Sequence, residues 1–311
     1  MIDCTDKVFR QFIRLISRHV YLYTEMITSH ASLNGDAERL LAFDAVEHPV
    51  AIQLGGSDPQ DLARAAKISE SFGYDEVNLN VGCPSSRVQA GAFGACLMKT
   101  PNLVADCVSA MQQAVSIPVT VKCRIGVDEI DDYEDFQKFI DIVWQSGCQT
   151  FIVHARKAWL KGLSPKQNRT IPELKYEFVH QIKQSFPELE IIINGGITDL
   201  DRQQAFANLD GIMVGREAYG NPYHLSVVDQ LYQSSPNDLP SRKSILLDFA
   251  PFADHALQQG FPPSILMKHV FGLSHGVKGG SAWRRSGTEL LQKVKVFGLS
   301  QYFQWVEQFP E

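Results

Sequence analysis

Cys83 stands between Gly82 and Pro84, directly after the strand-like run 76–80 and shortly before a Gly/Ala-rich loop at 91–96. A thiol at such a junction is held at the mouth of a fold and aimed at a ligand, not packed in a core. A thiol of ordinary pKa, about 8.5, is mostly protonated at neutral pH, so Cys83 there is either a general acid or a bystander. The other cysteines, Cys4, Cys96, Cys107, Cys123 and Cys148, fall at no CxxC spacing. That spacing suggests neither a zinc site nor a disulfide framework. Cys96, Cys107, Cys123 and Cys148 read as small buried residues.

A second signal lies in glycines. Asn194, Gly195, Gly196 and Ile197 follow one apolar run, and Gly215 and Arg216 follow the next. Glycine lets backbone N–H groups come close to phosphate oxygens, and a helix N-terminus favours an anion. Two such ends in succession, one with an arginine, point to a phosphorylated cofactor. Each apolar run also closes on a polar residue. The series is Glu25, Gln53, Asn78 with Asn80, Lys122, His154, Asn194 and Arg216.

The elements that must position these residues alternate. Strands are expected at 20–24, 50–54, 76–80, 119–122, 150–153, 191–194 and 211–214. Most are nearly continuously apolar, as parallel strands buried on both faces are. Helices lie between them. Asp58 as N-cap, Pro59 in the first turn and Gly73 at the end delimit one; Thr100 and Pro101 open another; a third ends at Gly147. Repeated strand–helix units leave a doubly wound sheet or a (β/α)8 barrel. No GxGxxG follows the first strand, which weighs against the former. In a barrel all the polar strand ends would share one rim, where catalytic groups collect. The strands number seven from position 20, and only the helix-like stretch 7–17 precedes them.

Bulk properties bound the rest. The chain has 311 residues, 44% hydrophobic and 21% charged, with a net charge of −6. No apolar run approaches the roughly 20 residues that cross a bilayer. The N-terminus lacks the layout of a signal peptide, and scattered single cysteines fit a reducing cytoplasmic setting. Two stretches are basic with no acidic residue. Positions 154–170 carry Arg156, Lys157, Lys161, Lys166 and Arg169; positions 255–288 carry Lys268, His269, His275, Lys278, Arg284 and Arg285. Local basic surface in an acidic chain points to RNA. Positions 233–240 read as a linker, and 241–308 has helical periodicity. The expected domains are a catalytic barrel at 1–232 and a small helical domain at 241–311.

The motifs TDKVFRQF, TEM, QLGG, NLNVGCPS, GAFGACLM, VKCRIGVD, VHARKAWLKGLSPK, INGGI and VGREAYGNP resemble, in this order, those of the tRNA-dihydrouridine synthases. The later MKHVFGLSHGVKGGSAWRR resembles the A-type (DusA) subfamily in particular, which modifies U20 and U20a of the tRNA D-loop. The resemblance implies a TIM barrel with a C-terminal helical domain that helps bind tRNA, FMN as cofactor and NADPH as reductant. It implies that Gln53, Lys122 and His154 contact the flavin ring, and that Asn194, Gly195, Gly196, Gly215 and Arg216 hold its ribityl-phosphate end. Asn80 and Arg156 match positions that contact the target uracil, and Cys83 matches the catalytic acid. Lys157, Arg284 and Arg285 belong to the basic stretches expected to hold tRNA. The family has a full first strand ahead of the position that Met1 occupies, so the first barrel strand is expected to be truncated and the natural protein to start upstream. Two other functions compete. One is a flavin reductase or dehydrogenase of a free pyrimidine; the other is an RNA-binding relative impaired by the short N-terminus.

Overall fold

The computed structural model describes residues 1–200, 203–232, 239–293 and 297–310. Its central element is a sheet of seven strands in sequence order. They are β1 (Leu22–Thr28), β2 (Val50–Gly55), β3 (Glu76–Val81), β4 (Val119–Arg124), β5 (Thr150–His154), β6 (Glu190–Asn194) and β7 (Gly211–Met213). From β2 to β7 every neighbouring pair is parallel. A curled parallel sheet with helices between its strands is the (β/α)8-barrel type of architecture, and seven strands form among the described residues. The strand expected at 20–24 is displaced: β1 runs from Leu22 to Thr28. An apolar run marks where both faces are buried, not where pairing stops, so Glu25 lies in mid-strand and not at a strand end.

Packing groups the chain into two compact units. The sheet unit comprises Tyr23–Ala42 and Val50–Val214; the helical unit comprises Met1–Leu22, Phe43–Pro49 and Gly215–Glu311. In the sheet unit, strand alternation separates two kinds of interior. Val77, Leu79, Val121, Cys123, Phe151, Val153, Ile191 and Ile193 are fully buried, and helices Pro59–Ser71, Pro101–Ala114 and Tyr176–Ser185 pack on the strands. The alternate positions carry the polar residues. Asp58 caps its helix by accepting from the Asp61 N–H, with Pro59 in the first turn and Gly73 beyond the end at φ 95°. Helix Tyr133–Gln145 begins at Asp132 and is followed by Gly147 at φ 107°. Thr100 precedes its helix but makes no side-chain cap bond; Pro101 at the first position needs no N–H partner there.

The helical unit opens with helix Lys7–Ile16, whose N-cap Asp6 accepts from the Phe9 N–H at 2.9 Å. Arg10 on that helix meets the fully buried Glu47 at 2.5 Å. Four later helices, Arg242–Gln258, Pro263–Val270, Gly280–Lys293 and Leu299–Val306, supply the helical character expected of 241–308. Most of the expected linker, 233–238, lies outside the described residues.

Candidate active site

Parallel register brings the polar strand residues of the sheet unit into rows. Gln53 pairs with Asn78 and Asn78 with Thr120; Asn80 pairs with Lys122; Arg124 pairs with His154 and His154 with Asn194. Hydrogen bonds then tie the rows together. Asn80 Nδ2 donates to Gln53 Oε1 at 2.8 Å, and Gln53 Nε2 donates to Asn78 Oδ1 at 2.8 Å. The Gly82 and Cys83 N–H groups both donate to Asn80 Oδ1, at 3.1 and 2.9 Å. The loop after β3 is thus pinned at the cysteine by a strand residue three positions back. Its far side is pinned as well: the Ala95 N–H donates to the Cys83 carbonyl at 2.9 Å. Gly94 sits at φ 76°, and a Cβ there would lie 2.6 Å from that carbonyl oxygen. Only glycine fits the turn.

Lys122 reaches across β5. Its Nζ donates to Asn194 Oδ1 at 3.3 Å, while Asn194 Nδ2 donates to the Met213 carbonyl at 2.7 Å. Burial, and then the neighbouring Arg124 charge, lower the Lys122 pKa to about 8. The Cys83 sulfur lies within electrostatic reach of both cations. Arg124 is itself buried and spends its donors on carbonyls of Gly82 (3.0 Å), Lys157 (3.0 Å) and Asn168 (2.9 Å). It therefore braces the cysteine loop against the loop after β5. Asn168, fully buried, folds that second loop by accepting from the Trp159 N–H at 2.7 Å and donating to the Trp159 carbonyl at 2.9 Å. Gln89 Nε2 adds a further brace, donating to the carbonyls of Pro84 and Leu160 at 2.8 Å each.

The glycine pair after β6 closes the group. Gly195 and Gly196 have φ of 121° and 66°. A Cβ on Gly195 would lie 2.7 Å from the His154 ring, and one on Gly196 would lie 3.8 Å from the Arg156 guanidinium. Tyr176 donates its hydroxyl to the Gly195 carbonyl, and Arg156 Nη1 donates to the Pro172 carbonyl.

The structure therefore gathers Gln53, Asn80, Cys83, Lys122, His154, Arg156, Asn194, Gly195 and Gly196 within the sheet unit. Gly215 and Arg216 open the short helix Arg216–Gly220 and belong to the helical unit. Lys157 is engaged locally: its Nζ meets Asp131 at 2.6 Å, lies 4.1 Å from the Trp159 ring centre and lines a cavity of about 210 Å³ with Ile125, Glu173 and Lys175. In the helical unit Arg284 is half-buried and bonded to Ser274 and Ser281, whereas Arg285 is exposed. His269 is 1% exposed and pairs with Asp6 at 2.9 Å, so it packs the unit together; His275 is exposed. Burial pushes the Cys107 and Cys123 thiols up to about 12 and raises Cys148 too. Cys96, expected in the core, is half-buried, its sulfur 3.1 Å from the Phe93 carbonyl. Residues that were not singled out from sequence are Arg124, Asn168, Thr120 and Glu76. The available signal was the alternation Glu76, Asn78, Asn80 along one strand face.

A family model described as dihydrouridine synthase (Dus) matches residues 1–307. The chain is 54% identical over 303 residues to the tRNA-dihydrouridine(20/20a) synthase of Synechocystis sp., with 94% of this chain and 91% of that relative covered. It is 53% identical over 294 residues to the enzyme of the same name from Shewanella oneidensis, at 94% and 88% coverage. Among solved structures it resembles a 2-naphthoyl-CoA reductase (TM-score 0.54, 10% identity, 76% of this chain and 48% of that one). It also resembles morphinone reductase (TM-score 0.50, 14% identity, 77% and 84%). At such identities the likeness is one of fold.

Proposed function

The chain belongs to the dihydrouridine synthase family, and from that premise we propose that it is a flavin-dependent tRNA-dihydrouridine(20/20a) synthase. Its substrate is uridine in the D-loop of tRNA, its cofactor FMN and its reductant NADPH. The observation that carries this reading is the joining of a strand lysine to a thiol loop: Lys122 pairs in register with Asn80, which holds the Cys83 N–H, and its ammonium reaches Asn194 beside His154.

The residues suit a flavin. Among the described residues the Lys122 ammonium makes one hydrogen bond, a long one to Asn194, and its other donors would be available to the flavin. Gly195 takes φ 121° and a Cβ there would collide with His154, so only glycine lets the His154 ring lie against this turn. Gln53, Lys122 and His154 would hold the ring. Asn194, Gly195 and Gly196, and by motif Gly215 and Arg216, would hold the phosphate end. Bound FMN, recharged by NADPH, supplies a hydride to C6 of the base.

The protein's own residues do the rest. Uracil C6 is conjugated to the C4 carbonyl, so addition there leaves negative charge on C5 and O4. The Cys83 thiol delivers the proton that C5 requires, which completes the saturated C5–C6 bond. The thiolate left behind sits in the field of Lys122 and Arg124 and regains its proton from water. Asn80 and Arg156 would position the base. Because the target is stacked within folded tRNA, it must be turned out to reach the thiol. Exposed Lys161, Lys166 and Arg169 of the sheet unit, with Arg284 and Arg285 of the helical unit, would grip phosphates, which position RNA without reading its sequence. Lys157 would join them only on release from Asp131. In this reading residues 1–232 carry catalysis, 241–311 help to hold tRNA, and the enzyme works in the cytoplasm. Among the described residues no helix is long and apolar enough to cross a membrane.

Incubation of the protein with FMN, NADPH and unmodified tRNA, followed by mapping of dihydrouridine, tests the proposal. Dihydrouridine at positions 20 and 20a is the expected result. Reduction of free uridine or uracil with untouched tRNA would contradict it.

A further inference from the structure

Inside the sheet unit a series of buried polar groups donates in one direction only. The Gly82 and Cys83 N–H groups donate to Asn80, Asn80 to Gln53, and Gln53 to Asn78. Asn78 Nδ2 then donates to Thr120 Oγ1 at 2.8 Å, and the Thr120 hydroxyl donates to Glu76 Oε1 at 2.5 Å. The Tyr23 hydroxyl donates to the same oxygen at 2.9 Å. Glu76, Asn78, Asn80 and Thr120 are all under a tenth exposed, so water does not substitute for these partners.

The order of this chain has a physical cause. An amide side chain offers a donor at one end and an acceptor at the other, and nothing in its own shape decides which way it faces. The ends of the chain decide. Backbone N–H groups can only donate, and the Glu76 carboxylate accepts. Thr120 has one proton; with that proton on Glu76, its oxygen must receive the Asn78 amide. Asn78 must then present its carbonyl to Gln53, Gln53 its carbonyl to Asn80, and Asn80 its carbonyl to the cysteine loop. Reversal at a link would leave two donors or two acceptors facing each other, most costly at the buried Asn78–Thr120 and Thr120–Glu76 links and less so at the half-buried Gln53. Burial raises the Glu76 pKa against the lowering effect of the Thr120 and Tyr23 bonds. With a proton on its other oxygen, Oε1 still accepts, so a neutral amide at this position keeps the direction.

We propose that Glu76, at the start of β3, and Thr120, beside Asn78 near the start of β4, are positioning residues: they set the orientation of the Gln53 and Asn80 amides and thereby the placement of Cys83. The proposal rests on the reading of Cys83 as the proton donor, but it has a readout of its own. That readout is the rate at which iodoacetamide alkylates Cys83 in the flavin-free, full-length protein, followed by mass spectrometry on the Cys83 peptide. Thr120→Val and Glu76→Leu remove the terminus with little change of volume. Each is expected to change the Cys83 alkylation rate at least about fivefold and to lower the turnover number for dihydrouridine formation about tenfold or more, with the KM for tRNA retained. Thr120→Ser and Glu76→Gln, which keep a hydroxyl and an acceptor oxygen, are expected to recover most of both losses. Parental alkylation rates in folded Thr120→Val and Glu76→Leu would overturn the proposal, as would Ser and Gln variants no better than Val and Leu. If Glu76→Leu does not fold, Thr120→Val and Thr120→Ala decide by the same criterion. A parent protein that forms no dihydrouridine would sink the functional reading and leave the alkylation series to judge this one.

Discussion

The two units bury polar groups in opposite ways. The helical unit has an aromatic core. Trp283 and Trp305 stack with centroids 3.9 Å apart, and each indole N–H donates to the other's backbone carbonyl at 3.1 Å. Phe271 and Phe309 pack around them, and a Cβ on Gly287 would lie 2.8 Å from the Trp305 ring. The two indole N–H groups there serve cohesion, and of the arginines expected to meet RNA, Arg285 is exposed and Arg284 half-buried. The sheet unit instead fills one face of its strands with amides, a hydroxyl and a half-buried ammonium, and leaves the apolar packing to the alternate face. A core of the second kind is less stable for its size but holds its groups in defined directions. The contrast suits the sheet interior to the proposed chemistry and the aromatic core to holding the helices together.

Substitution can break this contrast at several strengths. The largest effect is expected for Trp305→Ala, which empties the centre of the helical core and should cost about 3–5 kcal/mol by urea unfolding. A loss well below that would mean the tryptophan pair is not what holds the helices. Lys122→Met should act with the opposite sign. The Lys122 pKa is lowered from 10.5 to about 8 in the fold, so the unfolded chain binds that proton more readily. The resulting penalty is fully present below about pH 8, fades as pH rises toward 10.5 and is gone above it. Without flavin the variant should therefore be more stable than the parent at pH 7 by roughly 1–3 kcal/mol. That advantage should vanish in unfolding measured at high pH, and flavin binding should be lost. A variant destabilised at pH 7 would show that the ammonium is structurally satisfied. The smallest effect is expected at the surface. Reversal of Arg284 and Arg285 to glutamate should weaken tRNA binding and flatten its salt dependence; an unchanged slope would remove those arginines from the RNA surface.

Much of the sheet unit is legible from the chain alone, and the exceptions have physical reasons. Strands β2 to β6 coincide with apolar runs because parallel strands are covered on both faces. β1 departs from that rule, since Thr24 and Thr28 lie within a strand that continues past its apolar start. The caps at Asp58 and Asp132 are local events and readable as such; the Thr100 side chain is not used because the backbone there adopts φ −133° and ψ 65°. Cys83, His154 and the glycine pair stand out by position at or just after strand ends, and Lys122 as the close of an apolar run two residues short of the end of β4. Glu76, Thr120 and Arg124, the first residue of β3 and the second and last of β4, do not, because they gain meaning only from partners elsewhere in the fold, such as Asn78 beside Thr120. Register is a property of pairing, and a single strand's sequence does not carry it.

In the proposed reaction the Cys83 sulfhydryl protonates the base while its neighbours hold flavin and uracil. Single-turnover reduction of tRNA by Cys83→Ala, with its flavin already reduced, tests this most directly. Parental flavin content and spectrum are expected, with dihydrouridine formation slowed about a hundredfold or more. Formation of dihydrouridine at the parental rate would contradict it.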